Sequence, residues 1–239
     1  MSATSMPAAG SPWVADRIAG PRRRVEVVAS GSHAVYVDVD GDCVGVLARD
    51  AVPLPVGLRT RLARLSEIDG VVEVGDGEVR IGEYVVRVTR LVDPVVPRLG
   101  KLAPWSADVQ LDLPASALRA LAESDAEAVL ALLGRGDGLT PSGDDVLAGW
   151  LVTRYATEQP LTPIVDVVLA EAAGRTTLLS ATLLRRAAAG EAIPVARDLL
   201  LSLRSGTGVD RARERLVRIG HTSGAALALG ISLALEDAG

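Results

Sequence analysis

The stretch YVVRVTRLVDPVVPRLGKLAPWSADVQLDLPASALRALA, residues 84–122, divides the chain. Up to Leu91 it has a two-residue period, with Tyr84, Val86 and Val88 set against Val85, Arg87 and Thr89, as in a half-buried strand. Pro94, Pro97, Pro104 and Pro114 then break any regular period. Beyond them Leu118, Leu121 and Ala122 fall on one helical stripe. The sequence therefore predicts an α+β chain, β-rich before this stretch and helical after it.

Before the break, Val25, Val27 and Val28 open a β-rich run. Asp40-Gly41, between His33–Val39 and Cys43–Leu47, is a strong two-residue hairpin signal. Gly75-Asp76-Gly77 marks a second hairpin between Val71–Val74 and Glu78–Ile81. Arg61–Ser66 reads as a short helix between them. About six short strands with tight turns suggest a small antiparallel β barrel or sandwich. After the break, Ser124-Asp125-Ala126-Glu127 reads as a capping box. Helices follow at Asp144–Thr157, Pro163–Ala173, Thr177–Ala189, Pro194–Leu203, Val209–Ile219 and Thr222–Glu236, with Gly174, Gly190 and Gly220 at their ends. The organisation read from this is a poorly ordered tail at 1–20, a β-rich domain at 21–92, a connection at 93–113, and an all-α domain of short antiparallel helices at 114–239.

Composition excludes several classes. The chain has 239 residues, 49% hydrophobic and 23% charged, in the range of folded domains rather than disordered ones. Its best apolar run, Ala225–Leu235, is too short to span a bilayer, and Met1–Gly20 lacks the layout of a secretory signal. Cys43 is the single cysteine, which fits a reducing cytoplasm. With His33 and His221 as the two histidines, a structural zinc site has too few ligands. A net charge of −5 and six aromatics (three Trp, three Tyr) argue against a nucleic-acid partner. Lys101 is the sole lysine, so 24 of the 25 basic residues are Arg, mostly a coding bias.

Three polar segments interrupt the helical half. The first, Gly134–Asp145, holds four glycines between Gly134 and Gly143 and runs directly into a helix. Gly138, Thr140, Ser142 and Gly143 can hold an anion through backbone N–H groups and hydroxyls. Asp144 and Asp145 have two readings: ligands for a hard cation such as Mg²⁺, or acids that favour the helix dipole while Ser142 caps. The second segment places Arg175 at a helix–helix turn, where its fork can clamp a carboxylate or phosphate, with Thr176 or Thr177 capping the next helix. The third, Gly220–Gly224, offers His221 as a proton carrier beside Thr222 and Ser223. Strict up-and-down alternation puts Arg175 near the Gly-rich loop but His221 at the far end. Joining the two needs a crossing helix or a reversed connection.

Other signals are weaker. Asp38–Asp42 fails as a calcium loop, because Cys43 stands where Gly belongs and Arg49 where the bidentate Glu belongs. Arg211, Arg215 and Arg218 share a face with Asp210 and Glu214 interleaved, an exposed salt-bridged surface.

Together, GRGDGLTPSGDDVLAGW (134–150), GRTTLLSATLL (174–184) and GHTSGAALALG (220–230) resemble the AllH-type subunit of oxamate carbamoyltransferase. The family pattern has Pro where Asp137 stands and an aromatic where Val146 stands. The resemblance implies carbamoyl transfer between oxalurate and phosphate, giving oxamate and carbamoyl phosphate in purine and allantoin nitrogen catabolism. It implies two partner subunits, one similar to acyl-CoA synthetases, and a small anionic substrate. On this reading Arg175 takes the carboxylate or phosphate, and Thr140–Gly143 hold the transferring group. Asp144 or Asp145 is cation ligand or proton acceptor, and His221 is general acid or polarising donor. The rival reading is a non-catalytic assembly or regulatory subunit, with the Gly-rich loop against a partner.

Overall fold

The computed structural model describes residues 4–65 and 71–236. The chain forms two compact units, residues 1–94 and 95–239.

The first unit is one nine-stranded sheet. Its strands are β1 (Thr4–Gly10), β2 (Arg23–Val25), β3 (Val27–Ser30), β4 (Ala34–Val39), β5 (Asp42–Leu47), β6 (Gly57–Arg59), β7 (Val72–Gly75), β8 (Glu78–Ile81) and β9 (Tyr84–Leu91). They lie in the order β2-β7-β8-β9-β1-β6-β5-β4-β3. The edge strands β2 and β3 are joined through Glu26 alone, so the sheet must curl until its edges approach, as a nearly closed barrel. Both expected hairpins form. Asp40 and Gly41 (φ 56° and 81°) and Asp76 and Gly77 (φ 53° and 76°) take the doubly left-handed conformation that matches the twist of paired strands. Val35, Val37, Val44, Val46, Leu58 and Val74 fill the interior.

Two features depart from the sequence expectation. The sheet is mixed, because β1 runs parallel to β9 and β5 parallel to β6. Thr4–Gly10 also lies inside the sheet rather than in a tail, and Ser11 caps a one-and-a-half-turn helix α1 (Pro12–Arg17). Val14 and Ile18 behind that cap are fully buried. The segment TSMPAAG has little intrinsic β preference, and its state is set by the strands on either side. The expected helix at 61–66 does not form over residues 61–65, and Ser66 lies outside the described residues. Cys43 is wholly buried and its thiol is pushed up to about 12, first by burial and then by Asp38 and Asp42, so it behaves as a small core residue.

The second unit holds α2 (Ala115–Ala122), α3 (Glu127–Leu132), α4 (Ser142–Ala156), α5 (Ile164–Arg175), α6 (Leu178–Ala188), α7 (Pro194–Ser205), α8 (Val209–Val217) and α9 (Ser223–Glu236). The last six match the expected helices to within about two residues at their ends. Residues 95–113, expected as a connection, pack on this unit. The Leu99 N–H donates to the Ala156 carbonyl at 2.7 Å, Arg98 stacks on Tyr155, and the Ser232 hydroxyl donates to the Trp105 carbonyl at 3.1 Å. The capping box does not form: Ala126 takes the N-cap position without a side-chain cap, Asp125 accepts the Glu127 N–H at 3.0 Å, and Ser124 takes positive φ and accepts a hydrogen bond from Arg154. Gly174 is the last-but-one residue of α5 rather than the residue past its end.

The helices do not simply alternate. Ser142 and Thr222, at the starts of α4 and α9, share a hydrogen bond, and Gly149 and Gly230 further along each meet the other helix. The two helices are therefore parallel. A Cβ on Gly149 would sit 2.3 Å from the Leu227 carbonyl oxygen, and one on Gly230 would sit 2.0 Å from that of Val146. Only glycine admits this approach. The start of α6 lies beside that of α4, through Ser180 and Asp144, and its end beside Tyr155. The short helices α7 and α8 together carry the chain back, so α4, α6 and α9 all begin at one end. Strict alternation needs one traverse per helix, and this pair supplies the reversed connection.

Gly230→Ala should lower unfolding free energy by roughly 2–3 kcal/mol in urea titration, through overpacking. Gly174→Ala, helical with nothing within 4 Å of an added Cβ, should be neutral or stabilising by up to about 1 kcal/mol. Equal effects at the two positions would contradict the close helix approach.

Candidate functional site

The site lies where α4, α6 and α9 begin. Three dipoles point their positive ends at it, which favours negative charge there. The Gly-rich loop arrives from α3 and is pinned at both ends. The Gly134 N–H donates to Asp144 Oδ1 at 2.8 Å, and the Arg135 carbonyl accepts the Gly143 N–H at 2.8 Å. Gly134 (φ 71°) must be glycine, since a Cβ there would lie 2.1 Å from the Arg175 carbonyl oxygen.

Hydroxyls join the segments. Ser142 donates to Thr222 Oγ1 at 3.0 Å, and the Thr140 and Ser223 hydroxyls share a hydrogen bond of 3.0 Å. Thr177 accepts the Ser180 N–H at 3.0 Å, as an N-cap, and donates to the Leu139 carbonyl at 2.6 Å. Ser142 does not cap α4; it is the first helical residue and its hydroxyl reaches across to α9. The Gly143, Asp144 and Asp145 N–H groups donate to the Arg135 and Pro141 carbonyls, so these amides are already used. Anion-holding capacity therefore rests on the hydroxyls and on the exposed stretch Gly136–Leu139 rather than on the first turn of α4.

The adjacent acids have different surroundings. Asp144 is buried, and besides Gly134 it accepts hydrogen bonds from the Thr176 hydroxyl and from Ser180 at 2.7 Å. Burial raises its pKa above the usual carboxylate range, and these three donors pull it back. Ser180 was not singled out from the sequence; its position three residues after the Thr177 cap is the signal that it faces the helix start. Asp145 is 7% exposed and lies by Ser223 and Thr140. Burial pushes its carboxyl up to about 7, Asp144 adds repulsion, and the two hydroxyls oppose the shift. Its Oδ2 is buried and accepts no hydrogen bond among the described residues.

Three of the roughly four acceptor positions of Asp144 are thus filled by protein donors. Among the described residues no group of three or more His, Cys, Asp or Glu side chains is placed to hold a metal ion. Arg175 is the last residue of α5, with its carbonyl against the loop, but its exposed guanidinium pairs with Glu171 at 2.8 Å. His221 is exposed, although its neighbours Thr222 and Ser223 join the cluster. Asp137 and Gly138 are exposed in the loop.

Asp144 and Asp145 both have raised folded-state pKa values. Their protonation therefore stabilises the fold fully below the unfolded carboxylate pKa, about 4, and this stability is lost as pH rises, through about 7 for Asp145. Asp145→Asn, measured against wild type by thermal unfolding from pH 5 to 8, should gain relative stability with rising pH, by roughly 1–3 kcal/mol at the top of the range. A pH-independent difference would contradict this. Asp144→Ala strands three donors and should cost roughly 2–4 kcal/mol at pH 5.

No curated protein and no solved structure matches the chain. No helix among the described residues is long and apolar enough to cross a membrane. A family model does match, and it covers all three segments that build the site. From the last residue of α3 to the final turn of α9, residues 132–235, the chain matches the family described as oxamate carbamoyltransferase subunit AllH, which bears out the resemblance carried by the three motifs.

Proposed function

We propose that the chain is an AllH-type subunit of a multi-subunit carbamoyltransferase, and that the cluster at the starts of α4, α6 and α9 binds its small anionic substrate. The observation that carries this reading is the convergence of three distant segments on one group of half-buried hydroxyls and buried carboxylates, at the positive ends of three helices. Packing does not require such a group. The reaction implied by the family is carbamoyl exchange between oxalurate and phosphate, giving oxamate and carbamoyl phosphate in allantoin and purine catabolism. Both reactants are anions. The cytoplasm, where Cys43 stays a thiol, suits this chemistry.

Within this reading, Thr140, Ser142, Thr222 and Ser223 hold the transferring group by hydrogen bonds. Thr176 and Thr177 fix the loop against α6. Arg175 trades Glu171 for the substrate carboxylate or phosphate, an inexpensive exchange because a surface pair is worth at most about 1 kcal/mol. Asp145 is the proton acceptor, while Asp144 holds the architecture. His221, at the exposed edge beside Thr222, polarises the substrate or supplies a proton.

A second reading has one observation in its favour. Leu139, in the Gly-rich loop, is 41% exposed, as suits a segment that docks on a partner subunit. An assembly subunit would use the loop in this way and leave the chemistry to its partners.

The chain should be co-expressed with candidate partner subunits, including an acyl-CoA-synthetase-like one, and carbamoyl phosphate formation from oxalurate measured. Arg175→Ala and Asp145→Asn should each reduce turnover by at least about a hundredfold while the complex still assembles. Full activity in both variants would favour the assembly role. Absence of any complex and of any activity would remove the carbamoyltransferase reading.

A further inference from the structure

Helices α7 and α8 contribute no side chain to the helix-start cluster, yet their charge runs against that of the chain. With 30 acidic and 25 basic residues the whole is negative, but residues 194–219 hold six arginines and three acids. The fold does not use up this local excess. Arg213 is engaged inside, donating to the Ala107 carbonyl at 2.7 Å. Arg215 meets Asp198 of α7 at 2.6 Å and Arg218 meets Glu214 at 4.0 Å, exposed pairs of the kind worth at most about 1 kcal/mol. Exposed Arg204 and Arg211 have no hydrogen-bonded or ion-pair partner among the described residues. Between the two helices runs a cleft of about 540 Å³, lined by Leu201 and Ser205 on one side and by Arg211 and Arg215 on the other. Leu201 is 37% exposed there, and Arg204 stands one turn beyond it. Arg211, Arg215 and Arg218 form one stripe along α8, at steps of four and three residues. The stripe runs toward the helix-start cluster, because the end of α8 is pressed on the start of α9: a Cβ on Gly224 would lie 1.9 Å from the Leu216 carbonyl oxygen.

We propose that the α7–α8 face is the surface on which an acidic face of a partner subunit docks. This rests on the chain being a subunit of an assembly, and not on which reaction the assembly performs. Arg204 and Arg211 are free to receive carboxylates, and Arg215 has N–H donors left after pairing with Asp198. Leu201 offers an apolar contact inside this charged rim, the arrangement of a specific protein interface. Two other occupants fit less well. A second copy meeting this face symmetrically would set arginine stripe against arginine stripe. A nucleic acid would bring phosphates against Asp198, Asp210 and Glu214, which lie among the arginines. A protein can place its own basic groups opposite those acids. Docking here sets the partner beside His221, at the exposed edge of the cluster, three residues past the end of the stripe.

The test uses the complex formed by co-expression with the candidate partner subunits. Amide hydrogen exchange in α7 and α8 should slow at least about tenfold in the complex relative to the free chain. An Arg204→Glu, Arg211→Glu double variant should assemble at least about tenfold more weakly at about 0.1 M salt, while Arg204→Lys, Arg211→Lys should assemble as wild type. Both positions are exposed, and an acid in the first turn of α8 favours the helix dipole, so the Glu variant should fold, as unfolding curves recorded alongside will show. Raising salt to about 0.5 M should weaken wild-type assembly toward that of the Glu variant. Unchanged exchange in α7 and α8 within a formed complex, undiminished assembly of the Glu variant, or no complex with any partner subunit would each overturn the proposal. So would a dimer of the chain alone, or bound RNA, that the Glu substitutions abolish, because the face would then belong to a second copy or to a nucleic acid. The two readings fail separately. A complex that protects α7 and α8 but forms no carbamoyl phosphate removes the reaction alone, and an active complex that leaves them unprotected removes this surface alone.

Discussion

The close parallel approach of α4 and α9 is the constraint on which the helical unit depends. Gly149 and Gly230 remove the side chains that would hold the two backbones apart. At that spacing Ser142 reaches Thr222 and Thr140 reaches Ser223, and the starts of the helices lock together. The start of α6 is added through Asp144, Thr176 and Ser180. The result is three helix starts side by side, a repulsive arrangement of dipoles unless negative charge lies among them. The two aspartates lie there, yet burial raises both pKa values and works against their charge, so the packing and the electrostatics of the site are one problem.

The two carboxylates solve it differently. Asp144 is ordinary structural chemistry: a buried acid surrounded by donors that tie a loop to two helices. Asp145 keeps the burial without full compensation, and its raised pKa reflects that debt. Natural chains place such local conflicts where a ligand resolves them. The neighbouring positions on one helix turn therefore have separate roles, and a substitution at each should be read against a different expectation.

Much of this was legible in the sequence. The six later helices were marked by Pro163, Pro194 and Thr177 near their starts and by Gly190 and Gly220 past their ends, each for a stated backbone reason. Asp40-Gly41 fixed a hairpin because both residues tolerate positive φ. The three polar segments stood out because an apolar helical background does not require them. What escaped was tertiary. Thr4–Gly10 becomes a strand only because β9 and β6 flank it, and Leu99 and Trp105 hold residues 95–113 to the helices by contacts with distant positions. The roles of Asp144 and Asp145 were interchangeable in sequence, since both lie in one helical first turn. Only their neighbours, Ser180 for one and Ser223 for the other, distinguish them. Arg175 had the right residue type and place, but its pairing with Glu171 could not be read before the length of α5 was known.

The central claim is that segments eighty residues apart in the chain meet at one place. Its most direct test is covalent. A Ser142→Cys, Thr222→Cys double variant, with buried Cys43 replaced by Ser, should form an intramolecular disulfide under mild oxidation. The product should show unchanged circular dichroism and a higher unfolding temperature, because the link joins groups already in contact. Free thiols after oxidation of the folded variant, or a link that forms only on denaturation, would mean that α4 and α9 do not begin side by side.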